Sequence, residues 1–167
     1  MDINKKGEVT VSNLNFSTSD IKDFLSSVLI YYTGVLRSAS GILKEQSRLS
    51  ANTEDNLKKI KEIGYEVIES ISNKNFDNFG LLMDKHWEFK KQLSSKIALS
   101  QIDLLYHETK ERFGVLGGKI AGAGGGGFLM LYCPQNGSKL EEFMKANNLP
   151  RINYDLNYTG CETLINQ

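Results

Sequence analysis

Residues 119–128 read KIAGAGGGGF, and this glycine run limits how the segments on either side of it can fold. Glycine has no Cβ, so it adopts positive φ readily and lets a second backbone or a phosphate approach closely. A succession of N–H groups can also form an anion-binding nest. The alternative is a flexible hairpin turn between two core strands. Because each glycine loses much conformational entropy on ordering, four in succession favour a packing or phosphate-facing role.

The spacing of Gly122, Gly124 and Gly127 matches the dinucleotide-binding pattern G-x-G-x-x-G, but the surrounding sequence does not fit that fold. There the glycines lead from a strand into a helix N-terminus, whereas the apolar run FLMLYC that follows here is typical of a strand. A Walker loop is excluded as well, because Lys119 precedes Ile120 where that motif needs Ser or Thr. We therefore interpret the match as accidental.

Periodic apolar residues predict helices over much of the chain. Ser17 and Asp20 have the spacing of a capping box, which predicts a helix start. A helix that carries Arg37 is predicted after Gly34. Helical spacing predicts three more helices, which begin near residues 52, 76 and 100.

Strands are predicted at both ends of the chain and around the glycine run. The β-branched and aromatic run at residues 27–34 predicts a buried strand, and VLGGKIAG and FLMLYC predict two more. Asn136-Gly137 predicts a turn before a short helix. Alternation over residues 152–158 predicts a strand, and a last strand is predicted from Cys161 to Ile165. We therefore predict one domain over residues 1–167, of α+β class, with a mostly antiparallel sheet layered with a group of helices.

The charge balance excludes several classes of partner. The chain has 20 basic and 20 acidic residues, so no global field attracts nucleic acid or a membrane surface. Its apolar runs are shorter than the roughly 20 residues that span a bilayer, and MDINKKGEVT lacks the apolar stretch of a signal peptide. We expect a cytoplasmic protein without nucleic-acid or membrane partners. His86 and His107 have no second ligand at metal-binding spacing, so no metal site is expected, and Cys133 and Cys161 should be reduced.

Residues 117–128, GGKIAGAGGGGF, resemble the third motif of the GHMP kinases, which reads approximately G-[AG]-[KR]-x-x-G-A-G-x-G-G and lies near the C-terminus. YYTGVLRSAS at 31–40, HWEFKKQLS at 86–94 and the segment from Ile102 to the glycine run resemble one subgroup, the D-glycero-D-manno-heptose 7-phosphate kinases. The resemblance covers nearly the whole chain. It implies the fold of the GHMP kinase C-terminal domain.

The same resemblance implies phosphoryl transfer from MgATP to the anomeric hydroxyl of a heptose 7-phosphate. GHMP kinases carry the ATP-binding motif P-x-x-x-G-L-G-S-S-A-A and the catalytic aspartate in an N-terminal half, and that motif does not occur here. We therefore expect a C-terminal domain that needs an N-terminal kinase domain as partner, contains no catalytic residue and is inactive alone. ATP and Mg would be bound mainly by that partner. Apolar surface left uncovered without it predicts self-association.

The resemblance, together with the spacing of His86 and Lys90 on one helix face, indicates three sets of candidate site residues. Arg37 and Lys119 are candidate contacts to a phosphate, since cationic side chains make charge-assisted hydrogen bonds to phosphate oxygens. Candidate substrate-binding residues are Thr33, Arg37, His86, Trp87 and Lys90. The loop expected to face the nucleotide or substrate phosphate consists of Lys119, Gly122, Ala123, Gly124, Gly125, Gly126 and Gly127. The alternatives are solvated charges for Lys119 and Arg37, and a core face with a polar rim for His86 and Trp87.

Two other functions stay open. The chain is either part of an enzyme or a stand-alone ligand-binding or regulatory module that keeps the fold without ATP chemistry. Among enzymes, the alternative is the domain of a galactokinase-like or fucokinase-like enzyme that takes a neutral sugar. Arg37, Lys90, Lys91 and Lys119 offer more cationic groups in these motifs than a neutral hexose requires, so the sequence favours a phosphorylated substrate.

Overall fold

A computed structural model describes residues 1–12, 14–35, 40, 44, 51–93, 97, 100–122 and 124–156. Five helices and five strands with defined bounds lie within these ranges. The strands are β1 (Asp2–Ile3), β2 (Val9–Thr10), β3 (Val28–Tyr32), β4 (Gly117–Ile120) and β5 (Phe128–Tyr132). The helices are α1 (Thr18–Ser27), α2 (Ala51–Ser72), α3 (Phe76–Lys91), α4 (Ser100–Phe113) and α5 (Gly137–Ala146).

The central sheet has three strands in the order β3-β5-β4, and both pairings are antiparallel. Leu29 lies opposite Leu131 across the first pairing, and Lys119 lies opposite Met130 across the second. The short strands β1 and β2 form a separate antiparallel pair. The predicted α+β class, the antiparallel pairing and the strands on both sides of the glycine run are therefore confirmed.

Each face of the central sheet packs against a different set of helices. Alternate residues such as Leu29 and Leu131 point into the larger core, which α4 and α5 complete with Tyr106 and Leu140. Residues of the opposite parity, such as Tyr132, belong to a smaller cluster that α1 and α3 complete. This division follows from the period of two along a strand, which sends successive side chains to opposite faces.

The start of α1 shows how local sequence sets an element boundary. The Ser17 side chain accepts a hydrogen bond from the Asp20 N–H, and the Asp20 carboxylate accepts one from the Ser17 N–H at 2.9 Å. Lys74 binds the same carboxylate at 2.8 Å. Hydrogen bonds from Lys74 and Ser17 lower the pKa of Asp20 to about 2. The predicted capping box is confirmed.

Helix α3 and strand β4 approach each other so closely that their backbones touch. A Cβ added to Gly117 would lie 1.8 Å from the Gly80 carbonyl oxygen and 2.8 Å from the Asp84 nitrogen. Only glycine at position 117 permits this approach, because any side chain would overlap the main chain of α3. The contact fixes the residues of α3 that follow Gly80 against the strand that leads into the glycine run.

Two predictions about the C-terminal part are wrong. Asn136-Gly137 is not a free turn but the start of α5, and the Asn136 side chain donates a 3.1 Å hydrogen bond to the Phe113 carbonyl at the end of α4. Residues 152–156 form no strand. Pairing with β3 is limited to a bridge between Tyr31 and Arg151, because the chain beyond Arg151 turns away from the β3 edge of the sheet. There the Tyr154 hydroxyl donates to the Val28 carbonyl at 2.8 Å.

Several predicted features lie outside the described residues. They are most of the helix that follows Gly34, with Arg37, the end of the predicted strand at 152–158, and the strand from Cys161 to Ile165. Cys133 is a buried free thiol, and burial raises its pKa. Among the helices that the structure describes, none is long and apolar enough to cross a bilayer.

Candidate functional site

The glycine run forms the connection between β4 and β5. The Ala121 N–H donates to the Phe128 carbonyl at 2.8 Å and closes the connection at its base. Gly124 and Gly126 have φ angles of 97° and 137°, which side chains disfavour. The backbone path of this loop therefore requires glycine at these positions, while Ala123 lies outside the described residues.

Hydrogen bonds tie the loop to two neighbouring segments. The Gly125 N–H donates to the Ile97 carbonyl at 2.7 Å, and the Gly127 N–H donates to the Val35 carbonyl at 2.9 Å. Thr33 donates to the Gly127 carbonyl through its N–H at 2.8 Å and through its hydroxyl at 3.0 Å. The Thr33 hydroxyl and two of the loop N–H groups are therefore already engaged with the protein.

Close packing explains why loop positions 124 and 126 are glycine. A Cβ on Gly124 would lie 2.8 Å from the Ile97 side chain, and one on Gly126 would lie 2.5 Å from the Val35 carbonyl oxygen. Gly124 and Gly126 make no hydrogen bond through their N–H groups to any described residue. The Gly122 N–H has no described partner either, so these three donors of the described loop residues are available to an anion.

Three basic side chains gather beside the loop. His86 and Lys90 are one turn apart on α3, and Lys119 of β4 lines the same cavity as His86. The Lys90 ammonium donates to the Gly122 carbonyl at 2.6 Å. Burial and the nearby charge of Lys119 both lower the pKa of Lys90. We call these three residues the basic cluster.

The basic cluster differs from the neighbouring lysines in lacking acidic partners. Lys91 binds both Glu88 and Asp103 at 2.8 Å, and Lys110 binds Asp84 at 2.6 Å. No described acidic side chain forms an ion pair with Lys90 or Lys119. Among the described residues, no acidic group compensates the positive charge beside the glycine loop, and such a charge favours binding of an anion.

His86 contributes a neutral, partly buried imidazole to the cluster. Burial, followed by the charges of Lys119 and Lys90, lowers its pKa to about 4, so the ring is uncharged at neutral pH. Its Nδ1 atom is buried and has no hydrogen-bond partner among the described residues. Buried polar atoms without a partner are uncommon in native structures, so Nδ1 is available to a ligand or water.

A half-open cavity of about 210 Å³ adjoins the basic cluster. Helices α2 and α3 and the central sheet enclose it. His86 and Lys119 are the polar residues of its wall, and the remaining lining residues are Ile63, Gly64, Val67, Phe79, Leu82, Met83 and Met130. The cavity is therefore apolar along most of its wall and basic at one end.

A comparison with protein families identifies the domain that carries this site. The family model described as GHMP kinases C terminal matches residues 67–149, close to half of the chain. Residues 67–149 belong to the GHMP kinase C-terminal family. This range contains α3, both strands that flank the glycine loop, and the whole basic cluster. The expected family is therefore confirmed.

Two sequence relatives are much longer than this chain. L-fucokinase/L-fucose-1-P guanylyltransferase of Bacteroides fragilis is 33% identical over 125 residues, which cover 71% of this chain and 13% of that protein. D-glycero-alpha-D-manno-heptose 7-phosphate kinase of Campylobacter jejuni is 23% identical over 135 residues, which cover 79% of this chain and 39% of that protein. The chain thus spans well under half the length of either relative.

Solved structures of GHMP kinases share the fold. L. major mevalonate kinase in complex with R-mevalonate has a TM-score of 0.60 at 17% identity, over 71% of this chain and 37% of that one. Streptococcus pneumoniae phosphomevalonate kinase has a TM-score of 0.62 at 17% identity, over 75% and 38% of the two chains. At such identity the likeness establishes the GHMP C-terminal fold alone.

The GHMP C-terminal domain brings some of the predicted site residues together and separates others. Lys90 contacts the Gly122 carbonyl, and Lys119 of β4 lies near enough to His86 and Lys90 of α3 for its charge to lower the pKa of both. Trp87 is 3% exposed and packs in the larger core, which agrees with the alternative of a core face. Arg37 lies outside the described residues.

Sequence reasoning missed the residues that hold the loop in place. Val35 and Ile97 act through main-chain carbonyls, which no side-chain pattern indicates. Gly80 carried a usable signal, because a glycine inside a helical apolar pattern often marks close packing against another element. That signal could have predicted a close contact at Gly80, but it could not have identified Gly117 as the partner.

Proposed function

We propose that the chain is the C-terminal domain of an ATP-dependent sugar-phosphate kinase, which phosphorylates the anomeric hydroxyl of D-glycero-D-manno-heptose 7-phosphate. The family match and the kinase names of both sequence relatives support the reaction class. The observation that carries the choice of a phosphorylated sugar is the basic cluster. Two lysines that have no acidic partner among the described residues lie beside the loop and suit a substrate that already bears a phosphate.

In this proposal the domain contributes positioning and charge rather than a catalytic base. Lys119 and Lys90 hold the phosphate of the sugar, and the neutral His86 offers a hydrogen bond to the same group. The glycine loop fixes the edge of the pocket, so that the anomeric hydroxyl lies where an N-terminal domain presents ATP. Phosphoryl transfer depends largely on such positioning and on stabilisation of the transferred charge.

ATP and Mg belong mainly to the N-terminal domain in this proposal. Among the residues that the structure describes, no group of His, Cys, Asp or Glu could hold a metal ion. Bound MgATP would supply the transferred phosphoryl group and neutralise its charge. The chain alone should therefore be inactive.

The proposed N-terminal partner would also account for exposed apolar surface. Leu104 is 71% exposed and Tyr65 is 55% exposed, although both lie on amphipathic helices. Apolar side chains in such positions are a common feature of surfaces that meet a second domain. Self-association of the isolated chain stays a prediction on the same ground.

A neutral sugar is the second candidate substrate. The relative with the higher identity, 33%, is the fucokinase/guanylyltransferase, whereas the heptose 7-phosphate kinase is 23% identical. A fucokinase-like domain would have no use at the sugar for Lys90 and Lys119, which lack acidic partners among the described residues, unless they faced the nucleotide. The two candidates therefore differ in what the basic cluster contacts.

Steady-state kinetics on this chain joined with its N-terminal ATP-binding domain test the proposal. We expect kcat/KM for D-glycero-D-manno-heptose 7-phosphate to exceed that for free fucose or galactose, and the chain alone to produce no sugar-dependent ADP. A kcat/KM for fucose above that for the heptose phosphate would reject the substrate and keep the kinase family. Activity of the isolated chain would reject the division of labour between the domains.

A further inference from the structure

The cavity beside the basic cluster has two chemically different parts. Seven of its nine lining residues are apolar or glycine, contributed by α2, α3 and β5. The other two are His86 and Lys119. A sugar phosphate matches only the basic end, because its hydroxyl groups would lose their hydrogen bonds to water against the apolar wall. The apolar part therefore has no role in the proposed kinase reaction.

The basic end of the cavity is prepared for an anion. Lys119 has no acidic partner among the described residues, and it lies near enough to His86 for its charge to lower the pKa of that imidazole. The Nδ1 atom of His86 is buried without a hydrogen-bond partner. One ammonium and one unpartnered ring nitrogen together can satisfy two oxygens of a carboxylate or phosphate.

The volume of the cavity sets the size of the apolar group. A cavity of about 150 Å³ lined by aliphatic and aromatic side chains stays dry and accommodates benzene, which has six carbon atoms. A cavity of about 210 Å³ is larger but open on one side, so it accommodates about six to eight carbon atoms. A longer chain would have to leave the cavity through its open side.

We infer that this cavity binds a small anionic amphiphile, with a carboxylate or phosphate head at Lys119 and His86 and an apolar portion of about six to eight carbons between α2, α3 and the sheet. The head group uses the charge that no described acidic side chain neutralises, and the apolar portion covers a wall that sugars cannot use. Binding at this place requires neither an ATP-binding domain nor kinase activity. The 167-residue chain can therefore be tested by itself, and failure of the kinase assay leaves this test unaffected.

Calorimetric titration of the chain with a homologous series tests the inference. The probes are inorganic phosphate, butyl phosphate, hexyl phosphate, octyl phosphate, octanoate and octanol, each below its micelle-forming concentration. Affinity should rise about fourfold for each methylene buried between four and eight carbons. Whichever of octanoate and octyl phosphate binds more tightly identifies the head group. Inorganic phosphate should compete with octyl phosphate, because both would use Lys119.

Nuclear magnetic resonance of the two histidines locates the bound head group. An anion stabilises the imidazolium form, so octyl phosphate should raise the pKa of His86 from its value of about 4. His107 is the internal reference, since its side chain is 53% exposed on α4 and does not line the cavity. Its signals should not move with the ligand.

Three variants separate the head from the apolar portion. Lys119→Gln should weaken octyl phosphate binding about tenfold or more, the usual cost of losing a charge-assisted contact. Gly64→Leu should weaken the alkyl phosphates without weakening inorganic phosphate, because a side chain added at this lining residue first meets open space. Lys85→Gln is the matched control, since Lys85 lies exposed on α3 near Glu66 and should change nothing.

Equal affinity for inorganic phosphate and octyl phosphate would overturn the inference, because it would leave no role for the apolar wall. Octanol binding as tightly as octyl phosphate would also overturn it, because it would leave no role for the charged head group. Unchanged binding in both Lys119→Gln and Gly64→Leu would place the ligand elsewhere on the surface.

Discussion

The contact between α3 and β4 makes one methyl group at position 117 unusually costly. In Gly117→Ala the new Cβ would lie 1.8 Å from the Gly80 carbonyl oxygen and 2.8 Å from the Asp84 nitrogen. Both atoms belong to the main chain of a helix, so neither can turn away as the end of a flexible side chain can. Gly117 does not have positive φ, so the cost is steric and contains no backbone strain.

The magnitude follows from how cores respond to excess volume. Inserting a methylene into a packed core costs about 1–3 kcal/mol when side chains can adjust. Here a helix must move away from the sheet, so we expect Gly117→Ala to lower the free energy of unfolding by about 3 kcal/mol or more. For a chain of this size this corresponds to a melting temperature lower by roughly 6–12 °C.

Gly64→Ala is the matched control for this prediction. The same methyl group at position 64, within α2, would meet no atom within 4 Å. Replacing glycine by alanine inside an exposed helix stabilises it by about 0.5–1 kcal/mol. The two variants add the same atoms to the chain and should shift the melting temperature in opposite directions.

Thermal and urea unfolding of the wild type and both variants measures these effects. Circular dichroism follows the transition, and the slope of the free energy with urea checks that the unfolded states are comparable. A Gly117→Ala variant within about 1 kcal/mol of the wild type would refute the backbone contact between α3 and β4. It would also remove the reason why His86 and Lys119 are held together.

Two further predictions concern the cap of α1 and the titration of His86. Ser17→Ala should lower the free energy of urea unfolding by about 1 kcal/mol, because the Asp20 N–H loses its acceptor, and an unchanged midpoint would contradict the capping box. For His86 the folded pKa of about 4 lies below the ordinary 6.5, so the unfolded chain binds a proton first and stability should fall as pH drops from 6.5 to 4. His86→Gln should reduce that loss of stability by about 1 kcal/mol, a value discounted because His86 is partly exposed. Unfolding curves of both proteins at several pH values measure the loss. Equal pH dependence in the wild type and the variant would contradict the lowered pKa of His86.

Local sequence predicted the elements whose cause is local. The capping box at Ser17 and the β-branched run that forms β3 depend on neighbouring residues only, and both were predicted. Asn136 was assigned to a turn because its dipeptide with glycine favours one. In the structure its side chain bonds Phe113, 23 residues away, which no local pattern reveals.

The sequence predicted which residues belong to the candidate site but not how they are arranged in space. Lys119 and Lys90 were both candidates because of their motifs, yet the contact of Lys90 with Gly122 joins residues 32 positions apart. That contact exists because Gly80 and Gly117 bring α3 against β4. The sequence of this chain cannot select the substrate, because in the proposed kinase the sugar would be bound between this domain and the N-terminal domain.

The glycine loop itself supplies less positive potential than its composition suggests. A run of main-chain N–H groups can form an anion nest only where the groups are free. Two of the donors, at Gly125 and Gly127, are already bound to carbonyls at Ile97 and Val35, so the glycines serve mainly to let three backbone segments meet. The charge that could attract a phosphate therefore comes from Lys90 and Lys119. Any phosphate at this loop would therefore depend on the side chains beside it, and the pattern G-x-G-x-x-G alone says little about ligand recognition.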